Sequence, residues 1–189
     1  MTSVHRLWWA LLRATLVAAL AALGSGPAMA YESNYNPTPV GTIEVKELPA
    51  ARLLQVEGEG DYFDTANGLF GRLFRYLKNN DLSMTVPVEA DRRPARMRFF
   101  VERGHTGTLP SEQGGVAVLN RPAARVASIG IRGSYSQENF EQGAAELRKW
   151  LAAHPEWSAV DEPYAVYWNG PFTLWFLKRS EVHIPVALR

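Results

Sequence analysis

The residues best suited to carry chemistry are an acid and an imidazole near the C-terminus, Glu181 and His183. Apolar residues alternate with them at Val182, Ile184 and Val186, and this period of two is typical of a strand with two unlike faces. If the polar face lines a cavity, Glu181 and His183 can anchor a cation, orient a ligand or exchange protons with it. If the face meets solvent, they form an ordinary surface pair, and the sequence leaves both possibilities open.

Other catalytic patterns are missing from the 189 residues. The chain has no cysteine, which excludes disulfides, thiolate catalysis, cysteine-ligated zinc, iron–sulfur clusters and covalent c-type haem. No Ser-His-Asp order, Gly-x-Ser-x-Gly elbow, phosphate loop or His-Glu-x-x-His motif occurs. We expect His105 in an exposed glycine-rich loop and His154 at a helix end, where it caps the helix rather than binding a ligand.

Aromatic and basic side chains offer a second kind of site, suited to an apolar ligand with carboxylates. On one predicted helix, Phe70 and Phe74 lie beside the basic ridge of Arg72, Arg75 and Lys78. Such a ridge is most often a solvated helix face. It can also pair with the carboxylates of a ligand seated against the two rings.

A second aromatic cluster lies near the C-terminus, on both sides of an Asn-Gly-Pro turn. Clusters of this density usually belong to the core. Because a turn interrupts this one, we expect some of its rings at a rim or at the mouth of a pocket. The cluster comprises Tyr164, Tyr167, Trp168, Phe172, Trp175 and Phe176.

Two copies of one structural unit position these residues. The segment Pro-Ala-Ala-Arg at 49–52 recurs 73 positions later at 122–125, and Gly60 recurs at the same offset as Gly133. Each copy continues into an amphipathic helix, with start signals at Asp61 and at a capping box that begins at Ser134. The repeat predicts a pseudo-symmetric domain in which both glycines occupy equivalent turns.

The order of elements predicts the fold class. Each half contains alternating, strand-like segments around one helix with a broad apolar stripe, the second helix running from about Ser136 to Ala153. This order predicts an α+β fold, a distorted antiparallel β-barrel or curved sheet. We expect two pseudo-symmetric βαββ-type repeats with two helices packed on the sheet.

The first thirty residues have the features of a targeting segment. Arg6 and Arg13 accompany an apolar run, and Ala28-Met29-Ala30 fits the A-x-A cleavage rule. These features predict a signal peptide over residues 1–30, export to the periplasm or the medium, and no membrane span after cleavage. An uncleaved anchor is the alternative, but residues 8–23 are short for a span and contain Arg13.

The rest of the chain reads as an extended tail, residues 31–39, followed by one domain, residues 40–189. Residues 1–30 hold two of the 20 bases and none of the 19 acids, which leaves 18 bases against 19 acids. This balance gives no electrostatic reason to expect a nucleic-acid partner. Oligomeric state is left open by the sequence.

Four segments, taken in order along the chain, resemble the SOUL haem-binding protein family. The last is similar to the family's closing Arg-Arg-Asn-Glu-Val-x, with Ser180 in place of the asparagine and His183 in place of an aromatic residue. The likeness spans about residues 43–186. The four segments are the helix 67–80, the Met-Thr-Val-Pro-Val run 84–88, the turn 133–135 and the stretch 178–184.

The resemblance implies a distorted β-barrel of two βαββ-type halves, similar to the GyrI-like effector-binding fold. It also implies that haem or another tetrapyrrole binds without a covalent bond in an apolar groove beside the first helix and the late loop. For the iron, His183, Met84 or a tyrosine are candidate ligands, and the sequence selects none. The residues expected at the cofactor are Phe70, Arg72, Phe74, Arg75, Trp168, Phe172, Trp175 and His183.

The likeness to GyrI-like proteins carries an alternative. Members of that group bind organic cations, and some hydrolyse ligands with acidic residues. The alternative function is therefore a small-molecule binding protein or hydrolase, in which Glu181 with His183 anchors a cation or acts as general base. A non-catalytic effector- or partner-binding module is a third possibility. A closed cavity around Glu181 favours the cation or enzyme, and an open apolar groove along the first helix favours haem.

Overall fold

The computed structural model describes residues 31–170 and 172–189. The signal peptide predicted for residues 1–30 lies outside these ranges and stays a prediction. Within the described ranges, neither helix is long and apolar enough to cross a membrane. The elements are β1 (Glu32–Ser33), β2 (Ile43–Leu48), β3 (Ala51–Gly58), α1 (Tyr62–Asn79), β4 (Thr85–Val86), β5 (Val88–Asp91), β6 (Ala95–Phe100), β7 (Glu112–Gln113), β8 (Val116–Arg121), β9 (Ala124–Arg132), α2 (Gln137–Ala153), β10 (Trp157–Ala159), β11 (Tyr164–Tyr167), a 3₁₀ turn (Trp175–Leu177) and β12 (Arg179–Leu188).

The first helix, α1, begins where the sequence predicts. Asp61 is its N-cap, and the Asp61 carboxylate accepts a hydrogen bond from the amide of Phe63 at 3.1 Å. Leu69, Leu73 and Leu77, spaced four residues apart, form a buried stripe. This stripe packs α1 on β3 and β6 and leaves the other side of the helix toward solvent.

The second helix, α2, confirms the predicted range of about Ser136 to Ala153, but its N-cap lies two residues later than the capping box of the repeat. Its N-cap is Ser136, whose hydroxyl accepts a hydrogen bond from the amide of Asn139 at 3.3 Å. The predicted capping box at Ser134 is therefore wrong. The two additional residues bring the ring of Tyr135 against Tyr167, with ring centroids 4.3 Å apart, before the chain turns into the helix.

The two glycines of the repeat do occupy equivalent turns, each between a strand and the helix that follows. Gly60 has a φ of +76° and Gly133 a φ of +126°. Both values lie in the left-handed region that glycine enters without steric cost. The local backbone therefore follows the repeat at this point, whereas the helix caps do not.

One sheet holds ten strands, nine of them in the order β2-β9-β12-β11-β5-β6-β3-β8-β7, with β10 paired to β12. From the centre outward, β5, β6, β3 and β8 mirror β11, β12, β9 and β2. This symmetry places a pseudo-twofold axis between β5 and β11. An outer strand is exchanged between the repeats, because β2 pairs with β9 of the second repeat rather than with β3 of its own. The sheet is curved and stays open, which confirms the α+β class with two helices on one curved sheet.

The two faces of the sheet have different roles. Alternate residues of each strand point to opposite sides. One side packs against the helices and holds the apolar core, which includes Leu54, Phe99 and Leu147. The other side carries buried charged groups, chiefly Glu89 and Glu181. The candidate functional residues therefore lie on this polar side and on the outer surface of the helices and loops.

Candidate functional site

Glu181 lies at the centre of a buried polar network on the face of the sheet away from the helices. Its carboxylate accepts five short hydrogen bonds, so each of its lone-pair directions has a donor. The donors to Oε1 are the Thr38 amide at 2.8 Å and Trp168 Nε1 at 2.6 Å, and the donors to Oε2 are Lys46 Nζ at 2.7 Å, Ser128 Oγ at 2.8 Å and His183 Nε2 at 2.6 Å.

His183 is fully buried beside this carboxylate, where desolvation favours the neutral form of the imidazole. Because a carboxylate only accepts hydrogen bonds, Nε2 carries the proton that is donated to Glu181. Nδ1 then accepts the hydroxyl proton of Tyr164 at 3.1 Å. Burial lowers the pKa of His183 against the opposing influence of Glu181. A second positive charge is also unnecessary here, since the Lys46 ammonium already neutralises the carboxylate.

The tail predicted for residues 31–39 closes the network. Thr38 is buried and donates its amide proton to Glu181, and its hydroxyl lies 2.7 Å from the Ser128 hydroxyl. The ring of Tyr35 packs over the same region, with its centroid 5.4 Å from Trp168 and 6.1 Å from His183. The tail is thus an integral part of the domain rather than a loose extension.

This arrangement determines what Glu181 and His183 can do. The pair faces neither solvent nor an open cavity, because the tail and the side chain of Lys46 fill the space in front of it. Burial by itself raises the pKa of Glu181, but the hydrogen bond from His183 and the charges around the carboxylate, including Lys46, outweigh it and lower the pKa to about 2. Glu181 is therefore an ionised group that holds an internal cation, and the geometry gives no support to its use as a general base.

We expect acid to destabilise the protein in two steps. The pKa of His183 is lowered in the folded protein. Below about pH 6.5 the unfolded chain therefore binds a proton at His183 that the native protein does not bind. The lowered pKa of Glu181 adds a loss on the order of 3 kcal/mol between pH 4.5 and pH 2. At both residues the lowered pKa means that the unfolded chain binds more protons than the native protein. The free energy of unfolding therefore falls as the pH falls. Urea unfolding at pH 7.5, 5.5, 4 and about 2.5 measures both steps.

Two variants isolate the first acid step. His183→Gln is expected to flatten the pH dependence between pH 7.5 and 5.5, because glutamine does not titrate. His105→Gln changes a histidine outside the network and is expected to keep the wild-type slope. An unchanged slope in His183→Gln would assign the acid sensitivity to other groups.

A second buried carboxylate, Glu89, lies on the same side of the sheet and borders an open cleft of about 880 Å³. Arg121 Nη1 contacts both oxygens of Glu89 at 2.8 Å, and Arg98 Nη1 donates to Asp91 at 3.0 Å. Two other nitrogens of Arg121, Nε and Nη2, are buried without a partner among the described residues. The cleft is large enough for a small molecule, but its guanidinium groups are mostly neutralised by neighbouring acids.

The outer face of α1 carries the predicted aromatic and basic residues. Phe70 and Phe74 stack with centroids 5.9 Å apart and an interplanar angle of 15°, and Phe74 is 39% exposed. Lys78 Nζ lies 5.0 Å from the Phe74 ring, which is a cation–π contact. Arg75 is exposed, and Arg72 donates to the Glu57 carbonyl at 2.6 Å. The helix therefore brings part of the predicted cofactor site together.

The late loop separates the remaining predicted residues. Trp168 points into the network around Glu181, whereas Phe172 is 99% and Trp175 67% exposed. Among the described residues, no ring pair joins Phe70 or Phe74 to this loop. The predicted site residues are thus distributed over the α1 face, the buried network and the exposed loop, and their roles stay predictions.

Several residues of the Glu181 network and of the cleft beside Glu89 were not singled out by the sequence. They are Thr38, Lys46, Glu89, Arg121 and Ser128. Lys46 had a detectable signal, because it occupies the polar phase of the alternating pattern in β2. Thr38 and Ser128 had no such signal, because hydroxyl side chains are common in tails and strands and do not by themselves indicate a site. Among the described residues, no group of three or more acids or histidines is arranged to hold a metal ion.

Comparison with known proteins agrees with this architecture. The C-terminal domain of EcmrR has the same fold, with a TM-score of 0.62, 14% identity, and coverage of 78% of this chain and 98% of that one. A hydrolase from Listeria innocua has a TM-score of 0.54 and 14% identity, with coverage of 81% and 94%. An uncharacterized conserved protein from Listeria innocua has a TM-score of 0.56 and 14% identity, with coverage of 81% and 95%. At this identity the likeness shows the fold alone.

The family is shown by sequence. A search of curated proteins found no match. The profile of the family described as SOUL heme-binding protein, however, matches residues 29–185, which is most of the chain. The resemblance seen in the motifs is therefore confirmed, and the chain is a member of the SOUL heme-binding protein family.

Proposed function

We propose that this protein binds an acidic tetrapyrrole, such as haem, against the outer face of α1. The observation that carries the proposal is the half-exposed Phe74 ring, stacked on Phe70 and flanked by the cations of Arg75 and Lys78. A porphyrin combines a flat apolar ring with two carboxylates. The aromatic pair suits the ring, and the two cations suit the carboxylates.

Gly71 makes this face accessible to a flat ligand. At 100° per residue, Gly71 lies between Phe74 and Arg75 around the helix. A Cβ at Gly71 would meet no atom within 4 Å, so the backbone beside Phe74 is bare. A planar ligand can therefore contact the ring and the helix surface together. A glycine inside a helix lowers the stability of the helix by about 1 kcal/mol relative to alanine. Helix stability therefore does not explain why a glycine occupies this position.

Apolar contact provides most of the expected affinity. Covering roughly 200 Å² of apolar surface contributes about 5 kcal/mol. An exposed contact between a carboxylate and Arg75 or Lys78 adds about 1 kcal/mol or less. These magnitudes correspond to reversible, non-covalent binding, in which the cations orient the ligand more than they hold it.

A haem iron held by a protein ligand would need a donor atom that is free to bind it. His183 offers no free nitrogen, because one ring nitrogen donates to Glu181, the other accepts from Tyr164, and the residue is fully buried. Haem would supply its own redox and ligand-binding chemistry at the iron. The residues of this chain would bind and orient the porphyrin through Phe74, Arg75 and Lys78, without an obligatory histidine ligand.

The test is an absorption titration of the purified protein with haemin. Gly71→Leu is expected to weaken binding by about tenfold or more, because the side chain covers the bare strip beside Phe74, while the helix gains stability. Gly71→Ala, which adds a single methyl group, is expected to weaken binding by less than about threefold. Phe74→Ala is expected to weaken binding about tenfold at a stability cost well below the ~3–5 kcal/mol of a fully buried phenylalanine.

A variant that fills the open cleft beside Glu89 distinguishes binding in that cleft from binding on the outer face of α1. Leu119 lines the open cleft beside Glu89 and is itself exposed. Leu119→Trp narrows that cleft and is expected to leave haemin affinity unchanged. The proposal fails if Leu119→Trp abolishes binding while Gly71→Leu binds like the wild type, or if the wild type does not bind haemin at micromolar concentration.

A further inference from the structure

The loop before β12 exposes an unusual amount of apolar surface. Phe172 projects almost entirely into solvent, and Trp175 is more than half exposed. Soluble monomers rarely leave a contiguous patch of this kind uncovered unless it meets a partner or a membrane. The exposed apolar side chains of the loop are Phe172, Leu174, Trp175, Phe176 and Leu177.

The loop is held in this conformation by hydrogen bonds at its base. The amide of Leu177 donates to the Leu174 carbonyl at 2.9 Å and closes the 3₁₀ turn. The side-chain oxygen of Asn169 accepts from the amide of Arg179 at 2.6 Å, and Tyr135 accepts from the amide of Asn169 at 2.8 Å. The apolar side chains are therefore presented outward on an ordered turn, which lowers the entropy lost when they bind.

A basic collar surrounds the base of the loop. Lys178 and Arg179 follow it directly, and Arg132 pairs with Arg179 across the neighbouring strands. Arg132 and Arg179 are exposed and form no ion pair with described residues. From residue 163 to residue 180 the sequence contains no acid. An apolar tip with a positive collar is complementary to a surface that is apolar within and negative outside.

We propose that residues 172–177 insert into the interface of an anionic lipid bilayer and dock the protein there as a peripheral membrane protein. Phe172 and Leu174 enter the acyl boundary, and Trp175 lies at the level of the headgroups, where indole rings are favoured. Arg132, Lys178 and Arg179 contact the lipid phosphates. This inference does not depend on haem binding, because the residues that carry it lie outside the α1 face.

The test is sedimentation of the purified protein with two kinds of vesicle. One contains phosphatidylcholine alone, and the other also contains about 30% phosphatidylglycerol, which makes its surface anionic. We expect binding to the anionic vesicles, weakening with added salt. The double variant Phe172→Ser/Trp175→Ser is expected to lose more than about tenfold in binding. Arg132→Gln and Arg179→Gln are each expected to lose about fivefold. Circular dichroism checks whether the loop variants keep the fold.

Phe74→Ser is the matched control, since it removes a half-exposed ring elsewhere. It is expected to keep vesicle binding and to weaken haemin binding by about tenfold, whereas the loop double variant is expected to weaken vesicle binding and keep haemin binding. The proposal is overturned if the wild type ignores anionic vesicles, or if the loop double variant binds them unchanged. It is also overturned if the loop mediates self-association instead, seen as a dimer that the double variant abolishes without any vesicle binding.

Discussion

Lys46→Met is expected to lower the free energy of unfolding by about 3–5 kcal/mol. Lys46 Nζ lies 2.7 Å from Oε2 of Glu181, whose side chain is almost completely buried. Removing the ammonium leaves a buried carboxylate without a counter-charge. The remaining donors are neutral, so they solvate the charge without balancing it. For a domain of this size, such a loss lowers the melting temperature by roughly 10 °C.

A double-mutant cycle tests the cause of this loss. Glu181→Gln removes the charge that Lys46 neutralises, so in Lys46→Met/Glu181→Gln the lysine is no longer required. We expect the double variant to be clearly more stable than the sum of the single losses predicts. Lys149→Met, at an exposed lysine of α2, is the control and is expected to change stability by less than about 0.5 kcal/mol. Additive losses in the cycle would mean that Lys46 acts through packing alone.

Gly130→Ala is expected to displace the tail and to cost about 2–5 kcal/mol. A Cβ at Gly130 would lie 2.4 Å from the carbonyl oxygen of Pro39 and 2.5 Å from that of Thr38. These are backbone atoms, so no side-chain rotation relieves the clash and the tail itself must move. Moving it breaks the hydrogen bond from the Thr38 amide to Glu181 and opens the buried network.

Hydrogen exchange at the Thr38 amide reads out this displacement directly. In the wild type the amide is buried and bonded, so exchange is slow. In Gly130→Ala we expect the exchange rate of the Thr38 amide to approach that of an unprotected amide in a solvent-exposed segment. Gly68→Ala serves as the control, because a Cβ there meets no atom within 4 Å and alanine favours the helix. A Gly130→Ala protein with wild-type stability and a protected Thr38 amide would show that the tail has other room to move.

Much of the fold was within reach of the sequence because its signals are local. The period of two across 181–186 places Glu181 and His183 on one face of a strand, since a pleated strand alternates its side chains. The start of α1 at Asp61 follows from a capping side chain and its immediate neighbours. The repeat then adds the larger arrangement, because two copies of one unit must pack in a related way. The Ser134 capping box failed where the second copy departs from the first.

Tertiary structure alone decided what surrounds Glu181. Thr38 and Lys46 stand 143 and 135 positions from Glu181 along the chain. They reach it because β2 pairs with β9 and β9 pairs with β12, and no local period encodes which strands become neighbours. The same holds for Phe172 and Trp175. Their apolar character is plain in the sequence, but whether a ring is buried depends on which surface lies opposite it, and the turn carries these rings away from the core.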